Sequence, residues 1–226
     1  MDDDRDFDAL RTGFTAAVSH ELRTPLARIL ALLESAELPG ADVPSLLEQA
    51  RAEVENAGAL IDEIMFLSEL ESGDEVVSLG SAVALPVLGE VVAELAPAAA
   101  RAGVELRSEG DATIELPLRP RMLRIVAENL AENAIRYAGH GARFTLSVER
   151  EDGSVVLAGT DDGVGVREDA LERIFERFYR GDRARSTRGT GLGLAIVKHV
   201  VTAAGGEIQA TGARGRGLRI RCVFPA

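Results

Sequence analysis

Apolar residues follow two rhythms along the chain, and the change from one to the other comes near Gly73. From about Asp6 to Glu37, the residues Phe14, Val18, Leu22, Ile29, Leu32 and Leu33 recur at helical spacings, which predicts a long helix with one apolar stripe. The run Leu38-Pro39-Gly40-Ala41-Asp42-Val43-Pro44 breaks it with two prolines around a glycine, a turn signal. A second helix is expected from near Ser45, carrying Leu46, Leu47, Ala50, Val54, Ala57, Leu60, Ile61, Ile64, Leu67 and Leu70 and ending at Ser72-Gly73-Asp74. An antiparallel hairpin of two such helices cannot bury its stripe alone. Pairing with a second copy would make a four-helix bundle; packing on the rest of its own chain is the alternative.

Beyond Gly73 the pattern mixes α and β. Strands are expected at Val76–Leu79, Val104–Arg107 and Thr113–Leu116. Phe144–Arg150 and Ser154–Thr160 alternate with period two around the turn Glu151-Asp152-Gly153, and Glu207–Thr211 with Leu218–Phe224 makes a closing hairpin. Helices are expected at Leu85–Ala102, where Pro97 should shorten or kink the helix, from Pro120 in a first turn to about Ala138, at Glu168–Phe175, and at Gly191–Ala204. The fold class is therefore α+β. A helical hairpin, forming a dimeric four-helix bundle, precedes an α/β two-layer sandwich, with boundaries at 1–72, a hinge at 73–84, and 85–226.

Composition narrows the function. A net charge of −12 over 226 residues argues against nucleic-acid binding, which needs a positive surface to displace phosphate counterions. No run of about 18 apolar residues is present, so no membrane contact is expected of this segment. Its acidic start, Met1-Asp2-Asp3-Asp4-Arg5-Asp6, is not a signal peptide. A chain that opens directly into a long helix suggests a sensor module upstream. The single cysteine, Cys222, fits a reducing compartment and a packed strand position.

The segment Phe14-Thr15-Ala16-Ala17-Val18-Ser19-His20-Glu21-Leu22-Arg23-Thr24-Pro25-Leu26 holds a candidate nucleophile. Neutral imidazole attacks through one nitrogen if the other holds the proton, and a neighbouring carboxylate, Glu21, can take that proton as general base. Thr24 lies one helical turn from His20 on the same face. Pro25 offers no N–H to Glu21, so the helix should bend just past His20. The segment resembles the phosphoacceptor box of histidine kinases. That resemblance implies that His20 receives a phosphoryl group, that Glu21 is its base, and that Thr24 aligns water for hydrolysing a phosphorylated partner. His140 and His199 lack such a context and are expected on a loop and a helix surface.

Four short motifs follow. In Glu128-Asn129-Leu130-Ala131-Glu132-Asn133-Ala134-Ile135-Arg136-Tyr137, Asn129 and Asn133 project from one helical face, and amide oxygens suit Mg²⁺. Asp161-Asp162-Gly163-Val164-Gly165 ends a strand with a carboxylate that can accept from an amino group, beside glycines that admit close approach. Phe175-Glu176-Arg177-Phe178-Tyr179-Arg180 precedes a polar loop with Arg183, Arg185 and Arg188, a lid or a plainly solvated segment. Gly189-Thr190-Gly191-Leu192-Gly193-Leu194 opens a helix whose N-terminus favours phosphate.

In order and spacing these motifs resemble the ATP-binding domain shared by histidine kinases, Hsp90-type chaperones, DNA gyrase and mismatch-repair ATPases. The resemblance implies Asn133 as metal ligand with Asn129 beside it. It implies Asp161, rather than Asp162, on the adenine amino group, near Gly163 and Gly165. Arg136, where the family mostly has lysine, would hold phosphate with Tyr137, Arg180, Gly189, Gly191, Leu192 and Gly193; Arg177 is a contact or a solvated charge.

The expected function is an ATP- and Mg²⁺-dependent histidine autokinase. It would act in the cytoplasm as part of a two-component system, relaying phosphate to an aspartate of a response regulator, with phosphatase activity towards it. A related ATPase switch would lack the His20 helix. A degenerate docking module would have lost an asparagine or a glycine box.

Overall fold

The computed structural model describes residues 3–72, 80–181 and 189–225, with side chains from Val18 onward. It divides into two compact units, Met1–Ser68 and Glu69–Ala226.

The first unit holds α1 (Asp3–Ala36) and most of α2 (Val43–Ser72). Helix α2 begins two residues before the expected start because Asp42 caps it, its Oδ1 accepting from Ser45 N at 3.3 Å; Pro44 then occupies the first turn, where its missing N–H costs nothing. Along α2, Ala50, Glu53, Leu60 and Leu67 are buried while Leu47, Val54, Ile61 and Met65 are exposed. On α1, Leu22, Pro25, Ile29 and Leu32 are half-buried, whereas Leu26, Leu30 and Leu33 stay exposed at 61%, 58% and 44%. Buried Glu53 is balanced by Arg28, Nη1 to Oε1 at 3.8 Å. Heptad-like spacing therefore makes a seam inside the hairpin and leaves a second apolar stripe on its outside. Pro25 lies inside an unbroken α1.

The second unit is a five-stranded sheet ordered β2-β4-β5-β7-β6, with β2 (Glu105–Gly110), β4 (Arg143–Glu151), β5 (Ser154–Asp161), β6 (Glu207–Gly212) and β7 (Leu218–Pro225). Only β2 and β4 are parallel; the other neighbours are antiparallel. Helix α3 (Ala84–Ala102) packs on α4 (Pro120–Tyr137), and α4 packs on α5 (Gly193–Ala203). The strands alternate accordingly: Phe144, Leu146 and Val148 of β4 and Leu218, Ile220, Cys222 and Phe224 of β7 are buried. Burial pushes the Cys222 thiol up to about 12.

Expectations need amendment at Pro97, at Glu168–Phe175 and at His199. Pro97 does not shorten α3, which runs to Ala102 on a buried face of Leu88, Val91 and Ala99 and closes through Gly103, φ 71°. The helix expected at Glu168–Phe175 is two single 3₁₀ turns, Glu168–Ala170 and Arg173–Phe175, each burying one side chain, Ala170 and Phe175. The strand expected at 76–79 lies outside the described residues, as does most of the expected hinge; β1 (Ala82–Val83) pairs with β3 (Glu115–Leu116). Within the second unit, His199 is not a bare surface residue: it is half-buried, and its Nε2 lies 3.1 Å from Leu70 O. Arg177 pairs with Glu71. His140 is exposed and covers Gly103.

Candidate active site

His20 stands exposed on α1 with half-buried Glu21 beside it. The Thr24 hydroxyl donates to His20 O at 3.4 Å. This helical back-bond holds the hydroxyl one turn below the imidazole while leaving its oxygen lone pairs open to water.

In the second unit, α4 is the central support of the nucleotide motifs. Asn129 Nδ2 donates to Ile125 O at 2.8 Å, and its Oδ1 faces the start of α5, where a Cβ on Gly193 would stand 2.4 Å from that oxygen. Glycine at 193 thus lets the start of α5 close on the amide of α4. Asn133, half-buried, lies one turn further along the same face. Arg136 Nη2 is held by Glu132 Oε2 at 2.7 Å. The Arg136 guanidinium and the Tyr137 hydroxyl both border Gly189, where a Cβ would meet them at 3.4 and 2.8 Å. Gly191 O accepts from Phe178 N at 3.0 Å. Phe178 itself has φ 60°, uncommon for an aromatic residue. Thr190 Oγ1 accepts from Leu192 N at 3.2 Å, and fully buried Leu192 anchors the loop. Tyr179 lies beneath the Arg173 guanidinium, 4.6 Å from ring centroid to Cζ. Arg180 is half-buried at the end of this segment. Arg183, Arg185 and Arg188 of the expected lid lie outside the described residues.

At the end of β5, Asp161 is 8% exposed and accepts from Gly163 N at 2.9 Å. Burial raises its carboxyl above the ordinary aspartate value, the Gly163 and Leu218 amides oppose that, and the Asp162 carboxylate adds to it. The following loop is bonded to the end of α4, Val164 N donating to Ala138 O at 2.9 Å. It is also bonded to the β6–β7 turn, with Gly217 N donating to Gly163 O at 3.0 Å and Gly215 N to Val164 O at 2.8 Å. Gly165 packs against Ala213 O of the same turn. The structure thus joins the Asp161 loop, the α4 residues and the Gly189–Gly193 loop around one helix, and places His20, Glu21 and Thr24 in the other unit.

Residues 118–226 match the family model for the histidine kinase-, DNA gyrase B- and HSP90-like ATPase, and residues 10–73 match the His Kinase A phosphoacceptor domain. The chain belongs to the sensor histidine kinase family. Among sensor histidine kinases it is 34% identical over 225 residues to the sensor-like histidine kinase SenX3 of Mycobacterium tuberculosis, covering 97% of this chain and 55% of that one. It therefore spans about half the length of this relative. Full-length ShkA, solved in complex with AMPPNP, superimposes with TM-score 0.68 at 30% identity, over 93% of this chain and 45% of that one. The histidine kinase ThkA, solved in complex with the response regulator protein TrrA, shares the fold with TM-score 0.76 at 19% identity, over 98% of this chain and 63% of that one.

Four contributors escaped the sequence reading. Glu132 holds Arg136, Thr190 caps the glycine loop, and Gly215 and Gly217 buttress the Asp161 loop. Only Glu132 left a local signal, its four-residue spacing from Arg136.

Proposed function

We propose that this chain is an ATP-dependent autokinase that phosphorylates His20 and passes the phosphoryl group to an aspartate of a response regulator. The observation that carries this reading is an exposed His20 beside half-buried Glu21, in the same chain as the Asp161, Asn129–Asn133 and Gly189–Gly193 segments gathered on α4. Asp161, a buried acceptor, would take the adenine amino group. The amides of the Gly189–Gly193 loop and the N-terminus of α5 would face phosphate, together with Arg136, Tyr137 and Arg180.

The donor set fits Mg²⁺, because Asn129 commits its amide nitrogen to Ile125 O and leaves its oxygen facing Gly193 at the start of α5. Mg²⁺ needs few protein oxygens, since phosphates and water complete its shell. Asn133 would hold it with Asn129 alongside, and when bound it neutralises charge on the triphosphate.

In the transfer, one imidazole nitrogen of His20 bonds to the γ-phosphorus while the bond to the β–γ bridging oxygen breaks and ADP leaves. Glu21 takes the proton from the other nitrogen, so the phosphorylated ring ends neutral. Response regulator and phosphatase steps draw support from the Thr24 hydroxyl, one turn below His20.

The same reading includes a homodimer. Leu26, Leu30, Leu47, Val54, Ile61 and Met65 form an exposed apolar stripe on the outside of the hairpin, and a second copy presenting the same stripe would bury both. No helix among the described residues is long and apolar enough to cross a membrane, and a cytoplasmic location supplies the ATP.

The test is incubation with Mg-ATP labelled at the γ-phosphate. The expected label is lost in acid and stable in base, as for a phosphoramidate, and is absent from the His20→Gln variant, which still binds ATP. Labelling of His20→Gln at the wild-type rate would overturn the proposal.

A further inference from the structure

The ladder between β4 and β5 runs from Glu151↔Ser154 to Phe144↔Asp161. One residue further, Arg143 and Asp162 face each other where β5 must leave the sheet. Asp162 N donates to Arg143 O at 3.1 Å, as in a continuing antiparallel pair. The return bond differs. Arg143 N donates to the side-chain Oδ1 of Asp162, at 2.6 Å.

A carboxylate thus replaces the main-chain carbonyl that an ordinary strand would offer. The ladder stays closed, while the Asp162 carbonyl is released to follow the chain into the loop that reaches Ala138 and Gly217. The two neighbouring carboxylates divide the work by facing opposite ways, as successive strand residues do. Asp161 is buried and takes the amide of Gly163; Asp162 is exposed and takes the amide of Arg143.

We infer that Asp162 is a positioning residue for Asp161: by closing the sheet at the point where the chain turns, its side chain sets where the buried carboxylate points. This rests on the proposal that Asp161 receives the adenine amino group. The requirement is for an acceptor at the distance of an aspartate Oδ1. Asparagine retains one, alanine has none, and glutamate carries its acceptor one methylene too far.

The experiment measures dissociation constants of the full chain for Mg-ATP and for Mg-inosine triphosphate, which lacks the amino group. Asp162→Ala and Asp162→Glu should each weaken ATP binding about tenfold, the scale of one lost charge-assisted hydrogen bond, with little change for inosine triphosphate, so the preference for adenine shrinks. Asp162→Asn should keep the wild-type preference. Hydrogen exchange at the Arg143 amide should quicken in Asp162→Ala and stay slow in Asp162→Asn. Wild-type adenine preference in Asp162→Ala and Asp162→Glu would overturn the inference, as would an Asp162→Asn variant as impaired as Asp162→Ala. Asp161→Ala, which removes the acceptor, separates the two levels. If it leaves the preference intact, the adenine reading fails and takes this inference with it. If it abolishes the preference while Asp162→Ala does not, only the positioning role fails.

Discussion

Adding one methyl group at Gly163 should uncouple the Asp161 loop from α4. A Cβ there would stand 2.1 Å from Ala138 O, 2.7 Å from its carbonyl carbon and 2.8 Å from its Cα. Non-bonded heavy atoms need about 3.5 Å, so the loop must retreat by more than about 1 Å. All three obstructing atoms are backbone of a residue that is 4% exposed, and none can swing aside as a side-chain tip would. Retreat breaks the Val164 N to Ala138 O bond and loosens the Gly163 N to Asp161 Oδ1 bond, both 2.9 Å long. Overpacking costs about 1–3 kcal/mol and each hydrogen bond about 1 kcal/mol, giving a destabilisation of roughly 2–4 kcal/mol. In a unit of this size that lowers the melting temperature by about 4–16 °C. Because the moved carboxylate is the proposed adenine acceptor, Mg-ATP affinity should fall about tenfold or more, the scale of one lost charge-assisted hydrogen bond. Gly89→Ala is the control. It lies inside α3, where the nearest atom to a new Cβ is Ser108 Oγ at 3.9 Å, so it should stabilise by about 0.5–1 kcal/mol through helix propensity. Thermal unfolding and calorimetric titration with Mg-ATP read both effects. A Gly163→Ala protein that melts with wild type and binds ATP within twofold of it would refute the reasoning.

The raised Asp161 carboxyl, caused first by burial, makes its folded pKa exceed the unfolded one, so its stabilising contribution is full below the unfolded value of about 3.9 and lost as pH rises through the folded value. The unfolding free energy of wild type relative to D161N should therefore decline with pH across that window and level off above it; a flat difference in urea titrations would contradict the burial argument. Cys222, fully buried with its thiol pushed up to about 12, should resist a thiol reagent at about pH 8 until denaturant is added, and prompt native-state alkylation would count against its packing. Asn133→Ala should lose Mg²⁺-dependent ATP binding with the fold unchanged by circular dichroism, and full labelling of that variant would remove Asn133 from the metal site. Thr24→Ala should keep His20 labelling but slow dephosphorylation of the cognate regulator by about tenfold or more; an unchanged rate would leave Thr24 as a helix-surface residue.

Local chemistry made much of this protein legible in its sequence. Helical spacing placed Asn129 with Asn133, and His20 with Thr24, on shared faces, because a helix carries residues four apart to one side whatever surrounds it. Period-two alternation located β4 and β7, because each has one face against the helices, whereas the central β5 is buried along Val155–Gly159 on both faces. Pro120 marked the start of α4, since the first turn tolerates a missing N–H. Boundaries were less legible where a distant partner overruled local preference: Pro97 is carried inside α3 by the packing of its buried face, and the Glu168–Phe175 segment settles into two separate turns.

Residue identity and spacing name the groups that could do chemistry and the face of an element each shares. How the elements meet is settled by packing between them. Asp161 and Asp162 are the same side chain in adjacent positions, and no local rule assigns the buried acceptor to one and the sheet closure to the other. That division depends on Arg143, Gly163 and Leu218, which stand on other strands or around the turn. In the same way, Gly193 must be small because Asn129, 64 positions earlier, fills the space its Cβ would need. Periodicity reports the environment of one element at a time, whereas a site assembled across elements is set by non-local hydrogen bonds and close packing.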